Sequence, residues 1–465
     1  MEGTEGNQSS FFARRISVFA ILSVLFALVF FQRMCPSVVA ETMSVSYGVD
    51  KNDIGIFSSI FFYPYALIQP FAGLLADIME PAYLIGTAHL IAATGAVITG
   101  FSSSLTVGCI GRFLVGLGCG PTYVPIVRVI TNWFKLDQMA TMLGVLLAIG
   151  GLGSLASQAP LAAFEKAYGW RTAFFGIAGI GYLFSIICFF FVKGNPVDLN
   201  FPPVNKDLSH SPGETTFSEK MDLLVVNFKK VISYGPFWIV VLYNIFSSGP
   251  YFDIGGLWAS PFLKDIYKFS SQEAGNLLLG TSIGMIGGSL VIPSVSTYLG
   301  TRKWVLFFAS CISAVAVSLF FFFGTGLSKF MIFVVFLILG AFTNSMTSVA
   351  YPMIREYYHP SVAATSVGCA NVFTFLSSAI FQQFTSSMIP KYGTQTPVPG
   401  QLKDKYTEKG YKICLWLFCT ISLVFASIII SISKDSTIAP KEKSDDEIPE
   451  EKTPVKETGE ELGEL

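Results

Sequence analysis

Charge is what this chain has least of: Asp, Glu, Lys and Arg make up 13% of 465 residues, against 52% hydrophobic and 15% aromatic. A soluble domain carries about a quarter charged residues, so an ordinary globular fold in water is excluded. Histidine is nearly missing, with only His89, His210 and His359, widely scattered, and no Cys or His cluster has metal-ligand spacing. The eight cysteines (Cys35, Cys109, Cys119, Cys188, Cys311, Cys369, Cys414, Cys419) lie in or at the edges of hydrophobic runs. None has a loop partner for a disulfide, and each reads as a small buried hydrophobe. The phosphate-cradling pattern G-x-x-x-x-G-K-[ST] does not occur, which argues against an ATP-driven pump, and no constellation supports enzyme chemistry. No cofactor is expected. A formal net charge of −1 offers nucleic acid no basic surface.

What the chain does have is long hydrophobic runs. About 20 apolar residues cross a bilayer core as a helix, and such runs predict an all-α membrane protein of twelve spans in two six-helix halves. The first half, 15–193, holds spans near 15–41, 53–76, 83–101, 105–133, 141–164 and 172–192. The second, 235–433, holds 235–262, 273–297, 303–324, 329–354, 362–388 and 412–433. A tail precedes them at 1–14, and an acidic tail expected to be disordered follows at 434–465. The linker 194–234 is rich in Pro, Asn, Asp and Ser, and its part from 217 to 232 alternates apolar and charged residues as an amphipathic surface helix does. Arg14-Arg15, an apolar core and Val38-Val39-Ala40 mimic a cleaved secretory leader. Arg33 and Pro36, however, lie deep in a continuous helical pattern, so this segment reads as the first span. Twelve spans put both termini on one side, and a slight excess of short-loop basic residues makes that side the cytoplasm. Glu219 to Leu224 also fits an acidic-dileucine address, so a plasma membrane or an endosomal or lysosomal membrane is expected.

The halves echo one another. Setting residues 253–300 beneath 33–80, an offset of 253 − 33 = 220, places Tyr47 over Tyr267, Asn52-Asp53-Ile54-Gly55 over Gln272-Glu273-Ala274-Gly275, and Arg33 over Asp253.

Four motifs carry a family likeness. Gly73-Leu74-Leu75-Ala76-Asp77 resembles the G-x-L-x-D signature between helices two and three of the major facilitator superfamily, and Leu299-Gly300-Thr301-Arg302-Lys303 resembles its basic end. Each copy is partial: Ile78, Glu80, Pro81 and Ala82 replace the usual basic residues and glycine, and Thr297 replaces the second aspartate. Arg112-x-x-x-Gly116-x-Gly118-x-Gly120 and Gly169-Trp170-Arg171 complete the set. Arg33-(x)13-Tyr47-Gly48 resembles the sugar-phosphate and glycerol-phosphate permease branch; the lysosomal dipeptide carrier group is another neighbour. The resemblance implies a monomeric secondary transporter, with a small-molecule substrate and a co-transported proton as candidate partners, and spans one and seven facing across a central cavity. It also implies sliding contact between span five (Gly144, Gly150, Gly151, Gly153) and span eight (Gly280, Gly284, Gly288).

Ionisable residues inside hydrocarbon cost at least about 2.5–3.5 kcal/mol, so they face a cavity or a partner. Arg33 and Asp253 sit at similar depth and are expected to pair across the cavity and bind substrate, joined by Tyr123, Asn244, Trp258 and Asn371; a gating or purely structural ion pair, or two separate snorkelling residues, are the alternatives. Tyr63, Tyr65, Gln69 and Asn344 are further polar residues at membrane depth. Asp77, Arg112, Arg128 and Arg302 are expected to serve coupling or gating. An arginine opposite an aspartate suits an amino acid or short peptide; an organic anion or sugar phosphate is the alternative, and a non-transporting receptor of the same fold is another.

Overall fold

The computed structural model describes residues 2–50, 52–135, 138–204, 217–343, 346–395 and 405–435. Apart from one antiparallel pair, β1 (Thr394–Gln395) with β2 (Lys405–Tyr406), the described regular structure is helical. The first span is α1 (Glu2–Met34) and α2 (Pro36–Tyr47), and the second α3 (Asp53–Ser59) and α4 (Phe62–Ile78). The third is α5 (Pro81–Phe101), and the fourth α6 (Leu105–Cys119) and α7 (Tyr123–Trp133). Helix α8 (Met139–Ala156) is the fifth and leads into α9 (Ala159–Phe191), whose break at Gly169 separates it from the sixth. Helix α10 (Phe217–Ile232) precedes the seventh span, made of α11 (Gly235–Asp253), a π turn (Ile254–Trp258) and α12 (Ala259–Asp265). Then come α13 (Ser271–Leu299), α14 (Lys303–Phe323), the tenth span in two pieces, α15 (Lys329–Phe342) and α16 (Thr347–Glu356), and α17 (Pro360–Met388). The last span is α18 (Glu408–Tyr411), a π turn (Lys412–Leu417) and α19 (Phe418–Ser431).

Nine of the described helical stretches are long and apolar enough to cross a membrane, and ten if α10 and the seventh span, bent by 83° between Met221–Ile232 and Gly235–Asp265, count as one. The expected twelve reduce to this number for two physical reasons. Thr141–Phe191 counts once at 51 residues, yet Arg171 donates to the Ser102 carbonyl at 3.0 Å and Cys188 to the Ala82 carbonyl at 3.6 Å, so the sixth span runs back along the whole of α5. Helix α17 is the other case. Its Ser366, Thr374, Ser378, Gln382 and Thr385 are buried inside the protein, so its polar groups are kept from lipid, and it is not among the stretches counted from the described residues.

The repeat is visible in the backbone at the same offset of 220. Gly48 and Lys268 both adopt left-handed geometry, with φ of +70° and +60°. The break at Cys35 in span one falls opposite the π turn in span seven. Tyr47 shares a hydrogen bond of 2.5 Å with Ser102, and Tyr267 donates to the Gly324 carbonyl at 2.5 Å, so in each half the first span is tied to the end of the third. Lys268 carries a side chain where its counterpart is glycine. Because left-handed backbone costs an L-residue about 1–2 kcal/mol, part of which glycine's looser unfolded chain offsets, Lys268→Gly is expected to raise thermal stability; an unchanged or lower melting temperature would argue against strain there.

Proline removes a helical N–H, and two of the freed carbonyls find donors on neighbouring spans. Pro250 leaves the Phe246 carbonyl free, and Ser422 of α19 donates to it at 2.7 Å. Pro36 leaves the Gln32 carbonyl free, and the buried Arg112 donates its Nη2 to it, with Nη1 on Gln32 Oε1 at 3.1 Å.

The glycines meet the expected contact of spans five and eight only in part. A Cβ on Gly284 would meet the Leu337 carbonyl oxygen at 2.0 Å and one on Gly280 the Phe333 carbonyl oxygen at 2.7 Å, so the smooth face of span eight lies on span ten. Span five divides its own: Gly150 and Gly153 face Phe30 and Ala27 of span one, and Gly144 and Gly151 face Leu290 and Ile286 of span eight. Close backbone approach is what small residues provide in lipid, and here the tightest of these contacts lie within each half.

The halves are tied at the end away from the termini. Lys264 meets Glu41 at 3.0 Å, the Asn52 backbone N–H donates to Tyr406 Oη at 2.9 Å, and Tyr63 donates to Gln383 at 3.0 Å. One buried apolar cluster runs through both halves from Val18 to Leu423, and a second, around Tyr243 and Met353, lies toward the terminal end of the second half.

Candidate functional site

Arg33 occupies the last turn of α1, where the carbonyl end of the helix favours a cation, and the break at Cys35 and Pro36 ends the helix just beyond it. Its buried guanidinium is enclosed by three rings, with Phe30, Tyr65 and Phe375 at 4.8, 4.6 and 4.8 Å from their centroids. Nη2 donates to the Tyr65 hydroxyl, and Nε is buried without a hydrogen-bond partner. Among the described residues no carboxylate pairs with Arg33. One turn along both flanking helices, Asn371 donates to Gln69 at 3.4 Å, Gln69 donates to the Gly120 carbonyl at 3.3 Å, and Tyr351 donates to Asn371. Tyr65 with Gln69, and Asn371 with Phe375, are i,i+4 pairs, which places each pair on one helix face. Tyr123 opens α7 with its ring 5.7 Å from that of Phe26, which lies 5.1 Å from Phe30 of the Arg33 cage. Thus Arg33, Asn371 and Tyr123 are brought to one region from spans one, eleven and four.

Asp253 is not part of it. Spans one and seven do face each other, since a Cβ on Gly256 would lie 3.7 Å from the Arg33 carbonyl oxygen. The Asp253 carboxylate, however, is fully buried within the second half, accepting from Thr385 at 2.8 Å and from Cys419 at 3.9 Å. The expected Arg33–Asp253 pair is therefore absent. The physical reason is that each group already has neutral partners: Phe30 and Tyr65 of the first half with Phe375 of the second for the guanidinium, and two donors of its own half for the carboxylate. Trp258 likewise turns inward, its Nε1 donating to Thr385 at 3.0 Å and its ring edge-on to Tyr406 and Tyr411. Asn244 is buried in span seven with Nδ2 unpartnered.

The remaining charged candidates lie elsewhere. Arg112 braces the span-one break, its guanidinium 4.8 Å from the Phe61 ring centroid. Arg128 donates to the Ala76 carbonyl near the end of α4. Arg302 forks onto Glu356 at 2.6–2.9 Å, and Asp435 accepts the Arg302 and Lys303 backbone N–H groups at 3.1 Å, joining the starts and ends of spans nine, ten and twelve. Asp77 belongs to α4, but its side chain lies outside the described residues, as does Asn344.

Sequence reasoning did not single out Phe30, Phe375 or Tyr351. The two phenylalanines are anonymous among 44. For Tyr351, the signal was its place beside Pro352 in an apolar run.

The family description Major Facilitator Superfamily matches this chain at residues 22–382 and again at 251–457. The probable sulfoacetate transporter SauU of Cupriavidus necator is 25% identical over 39% of this chain and 42% of its own length. A probable hexose phosphate transport protein of Chlamydia muridarum is 21% identical over 62% and 66%, and the probable L-galactonate transporter of Escherichia coli 28% over 37% and 39%. The chain thus spans about two fifths to two thirds of the length of these relatives. Among solved structures, a bacterial homolog of the human lysosomal transporter Spinster, inward-facing and unoccupied, superposes with a TM-score of 0.68 at 16% identity over 90% of this chain and 96% of that one. The D-xylose–proton symporter gives 0.70 at 12% identity over 91% and 98%. The repeated helical halves, the partial signature motifs and these matches make this multi-pass membrane protein a member of the Major Facilitator Superfamily.

Proposed function

We propose that the chain is a secondary transporter that carries a small organic anion across a membrane by alternating access, its two halves rocking about a site at Arg33. The observation that carries this reading is the guanidinium itself. It is buried, ringed by aromatics, has a donor edge unfilled at Nε, and no described carboxylate balances it. A cation in low dielectric without a counter-charge is costly until an anion arrives, and a guanidinium forks onto carboxylate or phosphate. The named relatives from Cupriavidus, Chlamydia and Escherichia are described as carriers of sulfoacetate, hexose phosphate and galactonate, which supports an anion over a zwitterion. The amino-acid or peptide reading needed Asp253 to receive an ammonium, and that carboxylate is held by Thr385 and Cys419.

With Lys264–Glu41 and Asn52–Tyr406 closing the end away from the termini, substrate reaches Arg33 from the terminal side, where Arg128 and Arg302 support the gate by fixing span ends. We place both termini in the cytoplasm and take the monomer as the working unit. The test is uptake by proteoliposomes holding the purified full chain, with labelled glucuronate and glucose 6-phosphate as carboxylate and phosphate probes and glucose as neutral control. Uptake of an anion that unlabelled anion suppresses and glucose does not supports the proposal. Uptake of glucose alone, or retention no better than protein-free liposomes for every probe, would overturn it.

A further inference from the structure

The fully buried Asp253 is unused by the anion site, and its surroundings are unusual. Helices α11, α17 and α19 carry no other charged residue. Cys419 on α19 is the titratable group that touches it; Tyr251 on its own helix gives its hydroxyl to Met285 Sδ at 3.5 Å, and Arg33 on α1 is engaged by Tyr65 and its ring cage. Ionised, this carboxyl group would be an uncompensated charge in low dielectric; protonated, it is neutral.

The hydrogen-bond network is arranged to accept either form. Thr385 Oγ1 has one proton and three acceptors in reach: Asp253 Oδ1 at 2.8 Å, the Phe381 carbonyl at 3.0 Å and the Gln382 carbonyl at 3.2 Å. When Asp253 is ionised, Thr385 donates to it. When a proton binds at Oδ1, that proton is given to Thr385 Oγ1, and the hydroxyl proton turns to the Phe381 carbonyl. The heavy atoms need not move, and each proton has an acceptor in both forms.

The same hydroxyl accepts from Trp258 Nε1 at 3.0 Å, and Trp258 closes the π turn Ile254–Trp258 that begins directly after Asp253. Within that turn Gly256 approaches the Arg33 carbonyl, and Gln382 donates to the Phe252 carbonyl at 2.8 Å. A π turn is a local excess of one residue that can be taken up or released, and here it joins a carboxyl group to the backbone of the residue proposed to bind the anion.

We propose that Asp253 is the proton-carrying group of the transport cycle, and that Thr385, Trp258 and the π turn pass its state to Arg33. The proposal rests on the transport reading for its meaning, although proton occupancy at Asp253 is measurable without transport. Proton entry on Asp253 while an anion occupies Arg33 makes the loaded chain nearer to neutral, the form that crosses between states at least electrostatic cost.

Infrared difference spectra of the purified full chain in lipid, recorded as pH is varied, read the carboxyl group directly. The expected result is a protonated-carboxyl carbonyl band that is missing in Asp253→Asn and moved in frequency in Cys419→Ala, which removes the thiol donor to Oδ2. Spectra of Asp253→Asn matching the parent in that region overturn the proposal, as does a Cys419→Ala band at the parent frequency should the asparagine variant fail to fold. For coupling, proteoliposomes one pH unit more alkaline inside are expected to accumulate a transported probe, glucuronate or glucose 6-phosphate, about tenfold, since one unit is worth 1.36 kcal/mol per proton. Asp253→Asn is expected to accumulate no more with the gradient than without it. Equal gradient-driven accumulation by parent and variant overturns the coupling role. If neither probe is carried, the transport reading fails and the carboxyl band alone decides proton occupancy.

Discussion

Arg33→Ala is expected to abolish measurable uptake of organic anions while leaving the protein folded. Removing one member of a buried, hydrogen-bonded charge pair typically costs about 2–5 kcal/mol, a loss of roughly thirty-fold to several thousand-fold in affinity at 1.4 kcal/mol per decade. Because Arg33 lacks a described counter-carboxylate, its removal leaves no orphaned charge behind, and the cost is confined to the ring contacts and the Tyr65 hydrogen bond, so a lowered melting temperature with the fold retained is expected. Arg33→Lys keeps the charge but loses the planar fork and the stacking on Tyr65 and Phe375, and is expected to fall between parent and alanine. Uptake by Arg33→Ala within twofold of the parent would remove Arg33 from the site. A collapsed melting temperature would instead make it a structural residue, and the lysine variant would show which of the two it is.

Arg112→Ala is expected to damage the fold more than any other single change named here. It strips the guanidinium from a backbone carbonyl that Pro36 has already deprived of its helical partner and from Gln32 Oε1, leaving the two oxygens to share the one weak thiol proton of Cys35, at 3.5 and 3.9 Å. A buried polar group left unsatisfied costs about 1–3 kcal/mol, and the space vacated beside Phe57 and Phe61 adds a cavity cost, for an expected total of about 3–5 kcal/mol. The specific signature is a rescue. Pro36→Ala returns an N–H to the Gln32 carbonyl, so Arg112→Ala is expected to cost about 1 kcal/mol less in that background than in the parent. A double-variant cycle of melting temperatures, with Pro36→Ala, Arg112→Ala and both together, measures this. Strict additivity would mean that the guanidinium does not stand in for the missing N–H, and would return Arg112 to the coupling role its position suggests.

How far the sequence could be read depends on which physical signal each feature leaves. Long apolar runs leave a strong one, so the all-helical membrane fold was legible, and the offset of 220 reappears as paired left-handed residues at Gly48 and Lys268. Arg33 was legible for the same reason: one charge in an apolar run has to be accounted for. The direction in which Asp253 points was not. Span seven is buried on every side from Ser247 to Leu263, so no amphipathic pattern fixes its rotation around Asp253, and the π turn that rotates it further leaves no mark in residue type. The partners that decided the matter, Thr385 and Cys419, lie 132 and 166 residues away. The glycines of span eight show the same limit, since small-residue spacing announces a close helix contact without naming the neighbour, and the neighbour is span ten.

The central claim is that the anion docks on Arg33 and that Asp253 stays with its own half. A cryo-electron microscopy structure of the chain in lipid with glucuronate bound tests this most directly. The account predicts carboxylate density against the free Nε edge of Arg33, between Tyr65 and Phe375, with Asp253 still on Thr385. Density centred on Asp253, or an Arg33–Asp253 ion pair with the ligand bound elsewhere, would contradict it.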